Sequence, residues 1–291
     1  MSSVVTASSP LAPTAGANAT VACLAAAVGF VMLFWQPLAT LGRDWWTDPE
    51  SAHGLLLFPL ALYLAWRAEL RGDVAAQPGA GAALLAAAVG VRWLSGLAAE
   101  LFTLRLSMLA ALAGLVVFTW GARQLRHWWL PASLLVLSIP IPAVVLGSLA
   151  LPLQLEASRL GAWLLAARQV PVQLAGNVIQ LPGHSLFVTE ACSGLRSLTA
   201  LIALGLLLGG LGLRTAWLRA LLVTAAIPVA LALNACRIFG TGFLVSFVDA
   251  RFGDGFLHMT QGWALFVPAF AILAALARWL QRLEACRGRT A

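Results

Sequence analysis

The chain has 291 residues, of which 61% are hydrophobic and 10% are charged, and its mean hydropathy of +0.89 is far above that of soluble domains. The formal net charge is +7, but the basic residues are all arginines and most lie in short links between apolar runs, which excludes a nucleic-acid-binding face. The four cysteines form no CxxC or metal-finger spacing, which excludes a zinc ribbon. We therefore expect an all-α polytopic membrane protein.

The first stretch of the chain, residues 1–19, is uncharged and rich in Ser, Ala, Thr and Pro, which predicts a disordered cytoplasmic tail. It contains no basic n-region, so no cleaved signal peptide is expected. Apolar windows of about twenty residues then predict about eight transmembrane helices. The windows cover 20–41, 53–70, 80–99, 102–121, 128–147, 194–212, 216–237 and 260–280.

The distribution of arginine predicts the orientation in the membrane. With the N-terminus inside, ten arginines fall in the inner links and the C-terminal tail, and four fall in the outer links. This positive-inside bias predicts that both termini are cytoplasmic. The transmembrane domain is then expected to cover 20–280, and 281–291 to form a basic cytoplasmic tail.

The middle of the chain carries its one long connection. Pro140 and Pro142, in the fifth window, are expected to kink or break that helix. An outer loop follows at 148–192, and its first part places the charges of Glu156 and Arg159 on one face, which predicts a helix in the membrane interface. Its second part, "VPVQLAGNVIQLPGHSLFV", alternates loosely and is interrupted at "AGN" and "LPG", which predicts a small hairpin.

This topology collects unusual polar residues at one depth near the outer surface. Cys192 lies at the outer end of the sixth span, while Asn234 and Arg237 lie at the outer end of the seventh. His258 stands at the start of the eighth span and His53 at the start of the second. A lone cysteine in a membrane helix is usually an apolar filler, but an intramembrane arginine is costly and typically functional. Their convergence favours one shared site, in which Asn234 is expected to orient its neighbours and His53 to bind substrate or support the reaction.

The residue types at this depth suit a thiol nucleophile. The thiolate is the reactive form of cysteine, and both a helix N-terminus and Arg196, one turn after Cys192, favour an anion there. His258 can take the thiol proton and return it to a leaving amine. Arg237 stays charged, so it is expected to stabilise an oxyanion or to hold a substrate carboxylate. Glu190 is expected to orient the other groups, although a carboxylate that points inward would oppose the thiolate.

The residues of this site also carry a family resemblance. The stretches "EACSGLRSL", "NACR" and "HMTQGWALF" closely resemble the three motifs of the exosortase/archaeosortase family. The earlier stretch "WWTDPESAHGLLLFP" resembles that family's N-terminal signature, here with Ala52 between Ser51 and His53, and "IPIP" and "GNVIQLPG" resemble further parts of its pattern. The resemblance extends over about residues 43–268.

The resemblance implies an integral-membrane cysteine transpeptidase or protease, with 20–280 as its catalytic domain. The proposed catalytic triad of the family falls here on Cys192, Arg237 and His258. No metal and no other cofactor is implied. The implied location is the inner membrane of a bacterium, with the active site facing the periplasm.

The resemblance also implies the partners. The family's substrates are secreted, membrane-anchored proteins that end in a sorting signal. The signal consists of a Pro-Glu-Pro-like motif, a transmembrane helix and an arginine-rich tail. The enzyme cuts this signal and passes the protein to water or to a lipid-linked acceptor in the membrane, often beside exopolysaccharide genes.

Three other readings of the same residues stay open. A membrane metalloenzyme or metal transporter would use His53, His184, His258 and Cys192 as ligands at the outer face. A non-catalytic channel, or a component of polysaccharide export, would use the arginines to line a polar path. A structural disulfide would join Cys192 to Cys236.

Overall fold

The computed structural model describes residues 15–188, 195–248 and 256–287, with the backbone alone described at 15–23, 143, 195–197 and 256–265. Within these residues the chain forms ten helices and three strands. The helices are α1 (Ala15–Leu33), α2 (Trp35–Thr47), α3 (Gly54–Arg67), α4 (Pro78–Leu97), α5 (Leu101–His127), α6 (Trp129–Leu137), α7 (Ala143–Ala167), α8 (Leu195–Gly212), α9 (Ala216–Phe247) and α10 (Phe256–Arg287). The strands are β1 (Gln173–Ala175), β2 (Val178–Leu181) and β3 (His184–Phe187).

Four helices of the described chain are long and apolar enough to cross a membrane: α4, α5, α9 and the Phe266–Arg287 part of α10. A fifth crossing is counted if α1 and α2, which bend by 70° where they meet, form one span. The fourteen residues of α3 extend only about 21 Å, less than the roughly 30 Å of a hydrocarbon core. The eight predicted spans are therefore not confirmed, and the described residues support four to five.

The ends of the predicted transmembrane domain also differ from the helices. Residues 1–14 lie outside the described residues, but α1 already begins at Ala15, inside the predicted N-terminal tail. At the other end α10 continues to Arg287, beyond the predicted boundary at residue 280. Helices thus extend past both boundaries that hydropathy predicted.

The fifth predicted span is broken, as its prolines predicted. Helix α6 ends at Leu137 and α7 begins at Ala143, with Pro142 as the N-cap residue of α7. Proline lacks the N–H that a continuous helix needs, and it keeps the preceding residue out of helical geometry. The predicted interfacial segment is the later part of α7, where Arg159 donates to Glu156 at 2.6 Å on an exposed face.

The predicted hairpin is present, and the structure adds a third strand. Strands β1, β2 and β3 form one antiparallel sheet in that order. Both interruptions of the sequence are turns, at Gly176 with φ 64° and at Gly183 with φ 79°, a backbone region that favours glycine. Ile179 and Leu181 of β2 are buried, so one face of the sheet packs on the protein.

Helices α4 and α5 form a closely packed pair. A Cβ on Gly81 would lie 2.4 Å from the Cα of Phe118, so only glycine allows this approach. Glu100 caps the start of α5 by accepting hydrogen bonds from the hydroxyl and the backbone N–H of Thr103. These bonds favour the charged carboxylate and hold the pKa of Glu100 below its ordinary value.

Two apolar clusters hold the second half of the chain together. The first joins α8, α9 and α10, with Leu222, Leu273 and Leu280 almost fully buried. The second joins α7, the sheet and α9, and its buried members are Ala157, Ala162, Leu165, Val170, Ile179, Leu181, Val188, Ile238 and Val245. We call the second group the sheet cluster, because it packs the sheet against the two helices.

Candidate active site

The predicted catalytic residues differ in how far the structure describes them. Cys192 and Glu190 lie outside the described residues. Arg196 is the second residue of α8 and His258 the third residue of α10, and only their backbones are described. Arg237 is described with its side chain, and it lies within α9.

Helix α9 presents a polar stripe around Arg237. Asn234 and Thr241 are each 5% exposed, and Arg237 between them is half-buried. The spacing of three and four residues places all three on one side of the helix. The apolar stripe of the same helix, which includes Ala226 and Ala230, leads directly into these polar residues.

Helix α9 is longer than the predicted span, which ended at Arg237. The sequence placed Asn234 and Arg237 at the outer end of a span, but α9 continues to Phe247, almost three turns further. Thr241 was not among the predicted site residues. Its spacing from Arg237 was the signal that could have identified it, because residues four apart on a helix are neighbours.

The segment that follows Arg237 is fixed against α7 and the sheet. A Cβ on Gly161 of α7 would lie 2.5 Å from Cγ2 of Ile238. A Cβ on Gly242 would lie 2.8 Å from Leu165 and 3.4 Å from Leu186 of β3. The two glycines therefore let α9 lie directly on α7 and on the last strand of the sheet.

The strand that leads towards Cys192 is fixed in the same cluster. Val188, four positions before Cys192, is buried among the sheet cluster. Its N–H donates to the carbonyl of Asn177 at 3.0 Å, and its carbonyl accepts from Nδ2 of Asn177 at 3.2 Å. Asn177, which the sequence reading did not single out, thus holds the end of the strand. Ile238, next to Arg237, belongs to the same cluster.

His53 lies in a different set of contacts. Its Nδ1 is 3.0 Å from the carbonyl of Glu50, and its Nε2 is 3.1 Å from the carbonyl of Leu137. A carbonyl oxygen only accepts, so both contacts are hydrogen bonds when both ring nitrogens carry a proton. His53 therefore connects the start of α3 to the end of α6. Its contacts indicate a structural role.

The rest of the "WWTDPESAHG" stretch completes this connection. Nε1 of Trp45 donates to the carbonyl of Ser138 at 2.8 Å. The hydroxyl of Ser51 donates to Asp48 at 2.6 Å and closes the turn before α3. A Cβ on Gly54 would lie 2.0 Å from Nε1 of Trp45, so a larger residue would displace the indole. We call the contacts of Trp45 and His53 with the end of α6 the α6 clamp.

A second arginine inside an apolar helix has a carboxylate partner. The side chain of Arg105 in α5 is 4% exposed, and its Nη2 lies 2.5 Å from Oδ2 of Asp44 in α2. A buried arginine needs such a partner. This ion pair joins α2 to α5, and it explains in structural terms why an arginine lies inside α5.

The structure describes only some of the residues that the metal and disulfide readings use, since Cys192 and the side chain of His258 lie outside the description. The described residues contain no group of three His, Cys, Asp or Glu side chains that could hold a metal ion. Both ring nitrogens of His53 face carbonyl oxygens, whereas His184 is exposed on β3. Cys236 is an exposed free thiol on α9.

No curated protein and no solved structure gives a significant match. A family model described as transmembrane exosortase (Exosortase_EpsH) matches residues 45–275. The matched region begins in the α6 clamp and includes the positions of Cys192, Arg237 and His258. Because it covers most of the chain, this membrane protein belongs to the exosortase family.

Proposed function

We propose that this protein is an integral-membrane cysteine transpeptidase or protease that removes C-terminal sorting signals. Membership of the exosortase family supports a role in sorting-signal processing in general. The substrates are membrane-anchored secreted proteins whose signal has a Pro-Glu-Pro-like motif, a transmembrane helix and an arginine-rich tail. The reaction takes place at the periplasmic face of a bacterial inner membrane, in a chain with about eight spans and cytoplasmic termini.

One structural observation carries the assignment of the site. The chain just before Cys192 and the helix that bears Arg237 share the sheet cluster, through Val188 and Ile238. A chain advances at most about 3.5 Å per residue, so the four residues after Val188 keep Cys192 within roughly 14 Å of it. This shared packing therefore supports the proposal that the Cys192 nucleophile and the Arg237 cation act in one site.

The proposed reaction has two halves. His258 takes the proton from the Cys192 thiol, and the thiolate attacks the carbonyl carbon of the scissile peptide bond. Arg237 stabilises the oxyanion of the tetrahedral intermediate. The C–N bond then breaks, His258 returns the proton to the departing amine, and a thioester remains on Cys192.

The second half releases the product. An acceptor nucleophile attacks the thioester carbonyl, gives its proton to His258 and expels the thiolate. Water as the acceptor yields a carboxylic acid, and a lipid-linked amine or hydroxyl yields an anchored protein. Arg196, Asn234 and Glu190 support these steps by orientation and charge, and no metal or other cofactor takes part.

Co-expression with a reporter substrate tests this proposal. The reporter ends in a Pro-Glu-Pro motif, an apolar helix and an arginine tail, and its size is followed on a gel. We expect the wild type to shorten the reporter and Cys192→Ala to leave it intact. Cys286→Ser, which changes an exposed thiol near the end of α10, is the matched control and should process normally. Processing by Cys192→Ala at the wild-type rate would exclude a cysteine nucleophile at this position.

A further inference from the structure

The outer edge of β3 is a place where another extended chain can pair. The sheet has the order β1-β2-β3, so β3 is an edge strand within the described chain. An edge strand presents unpaired N–H and C=O groups that can accept a further strand. The chemistry of such an edge selects one kind of partner, an extended polypeptide backbone.

The register identifies which groups face outward. The N–H of Val188 donates to Asn177, so this pair is a hydrogen-bonded pair of the β2–β3 ladder. Such pairs alternate along an antiparallel ladder with pairs that make no bonds to each other. Phe187, opposite Val178, and Ser185, opposite Gln180, are therefore the residues whose N–H and C=O point away from β2.

The two outward-facing residues are also accessible. Ser185 and Phe187 are exposed, with Phe187 at 66% of its full accessible surface. Their four backbone groups make no hydrogen bond to another element among the residues that the structure describes. Leu186 between them faces the protein, where it packs with the sheet cluster. Leu186 thus fixes the strand on the protein, while the edge has no strand beside it within the described ranges 15–188, 195–248 and 256–287.

The other edge of the sheet is a poorer site. In β1, Gln173 and Ala175 make the ladder bonds to β2, so Leu174 alone points its backbone groups outward. Strand β3 offers two such residues, and the chain continues from it to Cys192, five positions after Phe187. Continuity with the candidate nucleophile therefore favours β3.

We propose that the extended segment of the polypeptide substrate binds as an added strand on the outer edge of β3, paired with Ser185 and Phe187. This inference rests on the proposed function, because it assigns the occupant of the edge as the segment that is cut. Pairing with a rigid strand would fix the direction and the register of the substrate as it enters the site. The exposed Phe187 ring would add an apolar contact to the substrate on the face of the sheet opposite Leu186.

Proline substitution tests the edge, because proline lacks the outward N–H. Ser185→Pro removes one proposed bond to substrate without removing a bond to β2, and Leu174→Pro is the equivalent change on the opposite edge. We expect Ser185→Pro to raise KM for the reporter about tenfold, and Leu174→Pro to leave it within about twofold. Thermal unfolding of both proteins checks that the fold is kept. Equal KM values for the two folded variants would overturn the proposal.

Cross-linking separates this inference from the proposed reaction. In the Cys192→Ala background, Phe187→p-benzoylphenylalanine is irradiated with the reporter, and Leu174→p-benzoylphenylalanine serves as the control. We expect at least fivefold more cross-linked product from position 187. Such a result with a reporter that the wild type does not cut would keep the docking edge and reject the proposed cleavage. Equal or absent cross-linking at position 187 would overturn the docking edge, whether or not the wild type cuts.

Discussion

Arg237 is the described residue with the strongest functional claim, because its neighbours are arranged around its charge. The buried polar groups of Asn234 and Thr241 flank it on one side of α9. Polar and charged residues inside an apolar membrane helix cost free energy, and they typically mark a functional site. Arg105 pairs with the carboxylate of Asp44, and the residues three and four positions away from it on α5 are apolar.

Replacement of Arg237 tests its proposed role in the reaction. Arg237→Gln keeps a hydrogen-bond donor but removes the charge that stabilises the oxyanion. We expect kcat for the reporter to fall about 100-fold or more, the size of effect seen when an oxyanion donor is removed. Kinetics of reporter cleavage measure this. A variant with wild-type kcat would assign Arg237 a structural role.

For His53 we expect an effect on stability and only a small effect on kcat, because its contacts place it in the α6 clamp. His53→Phe leaves the carbonyls of Glu50 and Leu137 without this partner, which costs about 1–3 kcal/mol if they stay dry. We expect a lower melting temperature in detergent and a kcat within about tenfold of the wild type. His53→Gln, which can still donate one hydrogen bond, should recover part of the lost stability. A full loss of kcat with an unchanged melting temperature would instead place His53 in the reaction.

At the scale of elements, the packing of α7 on α9 decides where the candidate site lies. Helix α7 begins only after the break at Pro142, and the α6 clamp holds the chain immediately before that break. Gly161 and Gly242 then allow α9 to approach α7 and β3 closely. The break and the two glycines thus act together to bring the end of the sheet near Arg237.

Two glycines of α7 provide a matched test of this packing. Gly161→Ala adds a Cβ that would lie 2.5 Å from Ile238, whereas Gly147→Ala meets nothing within 4 Å. Overpacking costs about 1–3 kcal/mol, but alanine at an open helical site stabilises by up to about 1 kcal/mol. We therefore expect Gly161→Ala to melt at a lower temperature and Gly147→Ala at an equal or higher one. The reverse order would contradict the close contact of α7 and α9.

At the scale of the whole molecule, the lengths and breaks of the helices bear on how often the chain crosses the membrane. Eight windows are apolar enough in sequence, but α3 is short and the window at 128–147 is broken. Hydropathy counts apolar residues and does not register a bend or a break. Hydropathy also does not show where a helix ends. The 32 residues of α9 extend about 48 Å, well beyond a bilayer core of roughly 30 Å.

Fusion reporters can test the predicted orientation of the chain in the membrane. We expect alkaline phosphatase to be active when fused at Gly176, in the predicted outer loop, and green fluorescent protein to be fluorescent after Arg126 and after Arg214, in predicted inner links. This pattern follows from the excess of arginine on the inner side. Active phosphatase after Arg214 together with inactive phosphatase at Gly176 would reverse the orientation.

Local rules explain what could be predicted from sequence. The membrane class, the break at Pro140 and Pro142 and the turns at Gly176 and Gly183 follow from composition and from the geometry of single residues. Arg237 could be singled out because a charge in an apolar window is visible without a structure. The number of spans, the third strand and the continuation of α9 past Arg237 lay beyond these rules.

The sequence by itself thus determined the helical membrane character, the chain breaks and the identity of the unusual polar residues, because each depends on short-range properties. The tertiary structure alone decided what those residues contact. His53 meets the carbonyl of Leu137, 84 positions away, and becomes part of a clamp. Asn177 fixes Val188, and β3 lies at the edge of the sheet in the described part of the chain, because packing and strand register bring these groups together. Such pairings depend on which surfaces meet, which no local pattern specifies.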